Sequence, residues 1–348
     1  MGAHVFIVNS ETFPIQRDRG FLSVFKEDRT KTLWKKTRAD ILSDICCLRI
    51  GDKIFFYETN VGFHGINVGF HGIYEAISLP FIDNSCVYGV GDYKDKKISN
   101  APYRVLIRPK YYLKNPVSEG RAFGLKDAAS RLRSIFYKKV LRRGKAITHL
   151  FPEEEERLTE LLFKANDGIS ELQIHPYKPK EEKRVFFDLS TNQRGELKYE
   201  KILEGWLTQN LDKPEANTKI FLGVIKDIEC FANYIPVNIA GGNIDLIVYH
   251  KKEINGKKVR YKITIIELKK GNINENSVIE VENYVKWAAE NIANSDIEII
   301  QPVLIGKKIL NGAIERCKYY AINNRKPILI EYEVDSKNYF INFDKIEY

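Results

Sequence analysis

The chain has 348 residues, too many for one ordinary core and suited to two domains, and its 44% hydrophobic and 29% charged residues exclude a disordered chain. No apolar run approaches the roughly 20 residues of a membrane span, and the opening MGAHVFIVNS lacks the features of a secretory signal, so a cytoplasmic protein with no membrane partner is expected. A formal net charge of +9 favours a polyanionic partner, while the five cysteines, with no CxxC pair, read as reduced and mostly buried.

Runs rich in β-branched and aromatic residues and bounded by turn formers predict strands at HVFIVNS (4–10), DKIFFYET (52–59), GIYEAISLPF (72–81) and YRVLIRPKYYL (103–113). Helices are predicted over 37–48, 125–133 and 152–164, the last opening on Pro152 and on Glu153 to Glu156, acids well placed at a helix N-terminus. These elements predict an α+β domain over 1–165 with a strongly curved or barrel-like sheet. Within it NVGFHGI occurs at 60–66 and again at 67–73, too short for a solenoid unit and read as a lengthened hairpin loop. Its His64 and His71 have no third ligand nearby in sequence, so no metal site is expected there.

Residues 166–185 combine Gly, two Pro and a charge cluster without an apolar period, the pattern of a linker. A second domain over 186–348 begins with a helix at 197–211 that carries Ile202, Leu203, Trp206 and Leu207 on one stripe. Strands at 220–224, 244–252, 258–269, 300–305 and 327–342, with a helix at 277–293, predict an α/β domain: a mixed central sheet flanked by helices. High Ile, Lys and Glu with one Met is a composition biased toward thermophiles.

The densest chemistry lies in GGNIDLIVYH (241–250) and ITIIELKKG (263–271), two strand-like runs joined through Asn255 and Gly256. Asn-Gly is the preferred tight reversal, so the runs should pair antiparallel. A plain two-residue turn sets Asp245 opposite Ile266 and leaves Glu267 on the other face. One extra residue, in the loop or as a bulge, brings Asp245, Glu267 and Lys269 together, and that irregularity is predicted. Two carboxylates in an apolar sheet can hold Mg²⁺, with the Leu268 carbonyl as a further ligand and Lys269 beside the attacking water. For any one of these residues a structural ion pair is the simpler reading; the full set favours phosphodiester hydrolysis.

These two runs resemble the PD-(D/E)xK nuclease superfamily, most closely the C-terminal nuclease domains of prokaryotic endonucleases acting on branched or mismatched DNA. The resemblance covers 190–340 and implies Mg²⁺, with Mn²⁺ as a substitute, bound by Asp245, Glu267 and a helix-borne glutamate, for which both Glu200 and Glu204 qualify. It also implies a helix after Lys269 bearing a polar residue and an aromatic, matched by Glu280 and Tyr284. The chain departs from the family in carrying Glu280 where relatives often have Gln, and Ile244 in place of the motif proline.

Residues 1–165, with FIVNS, LWKK (33–36), LRIGDKIFFYE (48–58) and PYRVLIRP (102–109), resemble the EVE and YTH branch of PUA-like domains. That family holds a flipped modified base in an aromatic cage, which implies Trp34 and Tyr57 as stacking residues, Asn9 and Ser10 as edge readers, and Phe63 and Phe70 as further members. A strand aromatic such as Tyr57 is more often core than cage. The cations Arg131, Arg133, Lys138, Lys139, Arg142, Arg143 and Lys145, interleaved with Phe136 and Tyr137, suit phosphate contact. The two resemblances together imply a modification-dependent restriction endonuclease acting on double-stranded DNA as a homodimer. A repair or conventional sequence-specific endonuclease, and a binder whose nuclease fold is only structural, are the alternatives.

Overall fold

The computed structural model describes residues 2–24, 34–59, 69–85, 87, 101–124, 132, 146–172, 174–237, 242–321 and 325–348, with the backbone alone at 34–37. The first copy of the repeat and the start of the second, Phe63, the helix predicted at 125–133 apart from Leu132, and all of the basic cluster including Arg142 and Arg143 lie outside the described residues, as does the Trp34 side chain. The chain divides into two compact units, Met1–Phe186 and Phe187–Tyr348.

In the first unit the strands are β1 (Ala3–Asn9), β2 (Phe21–Val24), β3 (Lys53–Thr59), β4 (Gly69–Ala76), β5 (Phe81–Ile82), β6 (Tyr103–Tyr111), β7 (Val117–Ser118), β8 (Ile147–Leu150) and β9 (Lys183–Arg184). The helices are α1 (Phe13–Arg19), α2 (Trp34–Ile45), α3 (Glu119–Phe123) and α4 (Pro152–Lys164). The main path of the sheet runs β8-β1-β3-β4-β6-β5-β9, with β2 on β6 and β7 on β4. Among the described residues it ends in two edges, so the sheet is open there and the barrel alternative is corrected. One apolar cluster packs Val5, Phe55, Tyr57, Phe70 and Ile73 against Leu158, Leu161 and Leu162 of α4.

Residues 166–185, expected to form a linker, are instead part of this unit. Tyr177 enters a second cluster with Phe21 and Phe81, its hydroxyl bonds the Asp83 carboxylate, and β9 pairs with β5. Arg104, fully buried, lies 3.2 Å from Asp83 and donates to the Ala101 carbonyl at 2.9 Å. A buried charge is tolerable only when paired and hydrogen-bonded, so this network ties the segment down where its polar sequence suggested solvent.

The second unit contains β10 (Ile228–Pro236), β11 (Asn243–Ile254), β12 (Lys257–Leu268), β13 (Asn272–Ile273), β14 (Ile300–Gly306), β15 (Lys308–Ile309), β16 (Ile328–Asp335) and β17 (Phe340–Ile346). Its helices are α5 (Glu200–Asn210), α6 (Lys219–Leu222), α7 (Glu275–Ile292) and α8 (Asn311–Tyr320). The six-stranded sheet has the order β10-β11-β12-β14-β16-β17, parallel across β12, β14 and β16 and antiparallel elsewhere. Both α5 and α7 pack on β12. Helix α5 buries the expected stripe and comes so close at Gly205 that a Cβ there would lie 2.1 Å from the Phe187 ring. The strand predicted at 220–224 is a correction: the segment is helix α6, which buries the successive residues Phe221 and Leu222, whereas successive strand residues alternate faces.

His250 lies in β11 with no solvent exposure, its Nε2 2.9 Å from Thr264 Oγ1. Burial, aided by Lys262, pushes its pKa down to about 3. The unfolded chain therefore binds a proton that the folded chain refuses between pH 6.5 and about 3, so the protein loses stability as pH falls through that window. Thermal melts should show His250→Gln losing less stability than the parent chain between pH 7 and 5, the difference reaching about 2 kcal/mol at pH 5.

Candidate functional site

The β11–β12 hairpin turns on Asn255 and Gly256, with φ of 52° and 73°, the two-residue reversal that leaves the carboxylates on opposite faces. Pairing starts as that turn dictates, with Ile254 opposite Lys257 and Lys251 opposite Arg260. It then shifts between His250 and Lys251: His250 faces Lys262, and Tyr261 is the extra residue. Beyond this bulge Leu246 faces Ile266, so the next position outward sets Asp245 opposite Glu267. The irregularity demanded by the sequence is thus a bulge in the second strand.

The Leu268 amide donates to Asp245 Oδ2 at 2.8 Å, which holds that carboxylate against the end of β12. Glu267 is 2% exposed; its Oε1 takes a bond from Lys269 Nζ, while its Oε2 is buried with no hydrogen-bond partner among the described residues. Lys269 extends the ladder, its amide donating to the Ile305 carbonyl at 2.9 Å. Its ammonium is shared with Glu280 Oε2 at 3.1 Å, and Glu280 Oε1 accepts from the Tyr284 hydroxyl at 2.8 Å. One helical turn separates Glu280 and Tyr284 on α7, so the Tyr284 hydroxyl reaches the Glu280 carboxylate along the same helix face.

From α5 come Glu200 and Glu204. Glu200 Oε2 accepts from the Lys270 amide at 3.1 Å. Glu204, 1% exposed, is bonded by Lys201 and by Asn233 Nδ2 at 2.7 Å. Burial and the charges of Glu204 and Glu200 push the Asp245 carboxyl up, and burial together with Asp245 does the same to Glu267. Burial opposes the Lys269 ammonium, but Glu267 and Glu280 more than offset it and hold its pKa above the ordinary value.

The sequence left two helix glutamates open; Glu204 is the first neighbouring charge acting on Asp245, with Glu200 behind it. The Glu204 oxygens accept from Lys201 and Asn233, and among the described residues no three His, Cys, Asp or Glu side chains converge as a metal cluster. Neither Lys201 nor Asn233 was singled out in the sequence. Lys201 is one helical turn from Glu204 and was legible, whereas Asn233 lies on β10, which the sequence reading missed. The donor set still fits a divalent cation, because the register sets the half-buried Asp245 opposite the buried Glu267 and one oxygen of Glu267 lacks a partner among the described residues.

In the first unit the expected cage residues part company. Tyr57 and Phe70 pack on each other in the apolar core, ring centroids 4.9 Å apart, so their cage role is corrected. Asn9 caps a turn, its Oδ1 accepting from the Thr12 amide at 2.8 Å. Ser10 alone of the expected readers whose side chains are described lines a cavity of about 310 Å³, with Phe13, Arg17, Glu58, His71, Tyr74 and Tyr112 among its walls. Glu58 follows Tyr57 and His71 follows Phe70, and a one-residue step along a strand changes the face.

A second bulge shapes this wall. Ile54 faces Tyr74 and Phe56 faces His71, so two residues of β4, Gly72 and Ile73, answer one of β3. Gly72 has φ of 54°, and a Cβ on it would sit 2.4 Å from the Tyr74 ring. The bulge turns His71 and Tyr74, three residues apart, onto the same cavity. His71 Nε2 lies 3.1 Å from Glu58 Oε2, and its ring is 4.5 Å from that of Phe13. Burial holds the Glu58 carboxyl above its ordinary value, and the buried Tyr74 hydroxyl has no hydrogen-bond partner among the described residues.

Asp245→Asn keeps an acceptor for the Leu268 amide and removes one of two adjacent carboxyl groups whose ionisation the folded chain opposes. In metal-free buffer at neutral pH the variant should melt a few degrees above the parent, and this gain should vanish as pH falls into the ordinary carboxylate range, where the parent's carboxylates are protonated as well. Added Mg²⁺ or Mn²⁺ should raise the melting temperature of the parent chain more than that of the variant.

No protein-family model matches the chain, and no curated protein matches it. Solved structures similar to it include a hypothetical protein from Leishmania major, 12% identical with a TM-score of 0.34, covering 47% of this chain and 96% of that one. Another is the human THYN1 protein in complex with 5-methylcytosine-containing DNA, 11% identical with a TM-score of 0.32, covering 47% of this chain and 98% of that one. A third is the DUF55 domain of human thymocyte nuclear protein 1, 12% identical with a TM-score of 0.32, covering 46% of this chain and 98% of that one.

Proposed function

We propose that the chain is a metal-dependent endodeoxyribonuclease whose second unit hydrolyses the DNA backbone and whose first unit binds a modified base. The observation that carries this reading is the bulge-set pairing of Asp245 with Glu267 beside Lys269. Asp245, Glu267 and the Leu268 carbonyl would hold Mg²⁺ or Mn²⁺. The bound ion supplies charge neutralisation at the phosphate and lowers the pKa of water.

The remaining chemistry belongs to the chain's own side chains. Lys269, kept cationic by Glu267 and Glu280, places positive charge beside the two carboxylates, where it stabilises a phosphorane oxygen and orients the attacking water. Glu280 fixes the direction of that ammonium and of the Tyr284 hydroxyl. Lys201 and Asn233 neutralise and anchor Glu204, so that it bears on Asp245 from a fixed position.

The base-binding half of the reading is supported by the cavity on α1, β3 and β4. Its volume is in the range of small-ligand sites, and it combines aromatic walls with the polar groups of Glu58, His71 and Tyr74. Such a set can stack a flipped base and read its edge. Cleaving both strands takes two centres, which a homodimer would provide.

With Mg²⁺ or Mn²⁺ the chain should cut duplex DNA carrying a modified base in preference to the same unmodified duplex. Asp245→Asn and Lys269→Ala should each lower cleavage by about 10²- to 10³-fold while duplex binding persists. Undiminished cleavage by Asp245→Asn would overturn the assignment. His71→Ala or Glu58→Gln should cost about tenfold in affinity for the modified duplex and leave the unmodified one unaffected.

A further inference from the structure

The β11–β12 hairpin is longer than the sheet that holds it. β10 stops pairing with β11 at His250, and β14 begins pairing with β12 at Ile263. Past those points, among the described residues, the two strands pair only with each other, and residues 252–259 are exposed without a break. A two-stranded ribbon with both edges bare normally invites aggregation unless charge protects it. Here the charge is almost entirely positive: Lys251, Lys252, Lys257, Lys258 and Arg260 against Glu253 alone.

The register sorts these side chains onto two faces. Lys251 faces Arg260 and Glu253 faces Lys258; Glu229, outside the ribbon, binds Lys251 at 2.7 Å and Arg260 at 3.0 Å. That face is largely neutralised. On the other, Lys252 faces Val259 and Ile254 faces Lys257. No carboxylate within the ribbon shares this face, and among the described residues neither Lys252 nor Lys257 makes an ion pair, although the Lys252 ammonium stands 4.6 Å over the Tyr261 ring. Ile254 and Val259, 42% and 40% exposed, complete a surface of two cations and two aliphatic residues.

We infer that this ribbon is a second DNA contact of the hydrolytic unit, its Lys252/Lys257 face laid on the sugar-phosphate backbone of duplex DNA at a groove. A two-stranded ribbon is narrow enough to enter the major groove, and the aliphatic pair suits sugar or thymine methyl contact. The strand rises about 30 Å from Asp245 to Asn255, close to one helical turn of duplex. The ribbon therefore grips DNA about a turn away from the phosphate being cut. The inference rests on the nuclease reading for its ligand, but not on cleavage for its test.

Duplex binding is measured by fluorescence anisotropy in metal-free buffer over a range of salt, so that it stands or falls apart from hydrolysis. Lys252→Gln/Lys257→Gln should weaken binding at least about tenfold near 0.1 M salt and reduce the slope of log K against log salt by about 2, leaving the melting temperature unchanged. Lys258→Gln, on the opposite face, should cost less than Lys257→Gln. The same ribbon dependence in a chain that never cuts DNA would uphold this inference while removing the nuclease reading. Unchanged affinity and salt slope in the double variant, equal losses from the two faces, or binding to anionic vesicles but not to duplex would overturn it.

Discussion

The candidate centre depends on one residue more in β12 than in β11. Tyr261 sits in the bulge, its hydroxyl bonded to Asp227 at 2.9 Å, and every pair beyond it is displaced by one position. Without that displacement Glu267 and Lys269 would lie on the opposite face from Asp245. With it, two carboxylates confront each other in a sheet whose neighbours Ile263, Ile265, Ile266 and Leu268 are fully buried. The apolar setting makes the arrangement costly, and this is offset in part by Lys269, the charge of Lys201 and the Leu268 amide. What is left over is an oxygen of Glu267 with no partner among the described residues and the like charges of Glu204 and Glu200 acting on Asp245, which is the charge imbalance the proposed cation would relieve.

The same device shapes the cavity of the first unit. At Gly72 the bulge brings His71 and Tyr74 onto one face, while Tyr57 and Phe70 serve the core on the other. Only a residue without a Cβ fits there, since the backbone is left-handed and the Tyr74 ring covers it. In each unit a regular, strongly apolar sheet supplies rigidity, and a single bulge breaks the strict alternation to put polar groups together.

Buried polar networks perform a second task, that of holding segments whose composition would not hold them. Residues 166–185 carry little apolar surface, yet Tyr177, bonded to Asp83 and stacked near the Arg104 guanidinium, makes them part of the first unit. Composition alone cannot register this, because the stabilisation comes from one aromatic and the backbone pairing of β9, both meeting partners more than seventy residues earlier in the chain.

By itself the sequence determined the elements with strong periodicity: α4 over 152–164, the β11–β12 hairpin, the stripe of α5 and the need for one extra residue, in the loop or as a bulge, between Asp245 and Glu267. These follow from local alternation, turn chemistry and counting, all of which act over a few residues. Tertiary structure alone decided the location of the bulge at Tyr261, the tying of Glu204 to Lys201 and Asn233, and the exchange of Tyr57 and Phe70 for Glu58 and His71 as cavity residues. Strands bury one face or the other according to what packs against them. A run such as IFFYE is apolar enough to be read either way, so the face it gives to the cavity is settled by α1 and the Gly72 bulge rather than by the run itself.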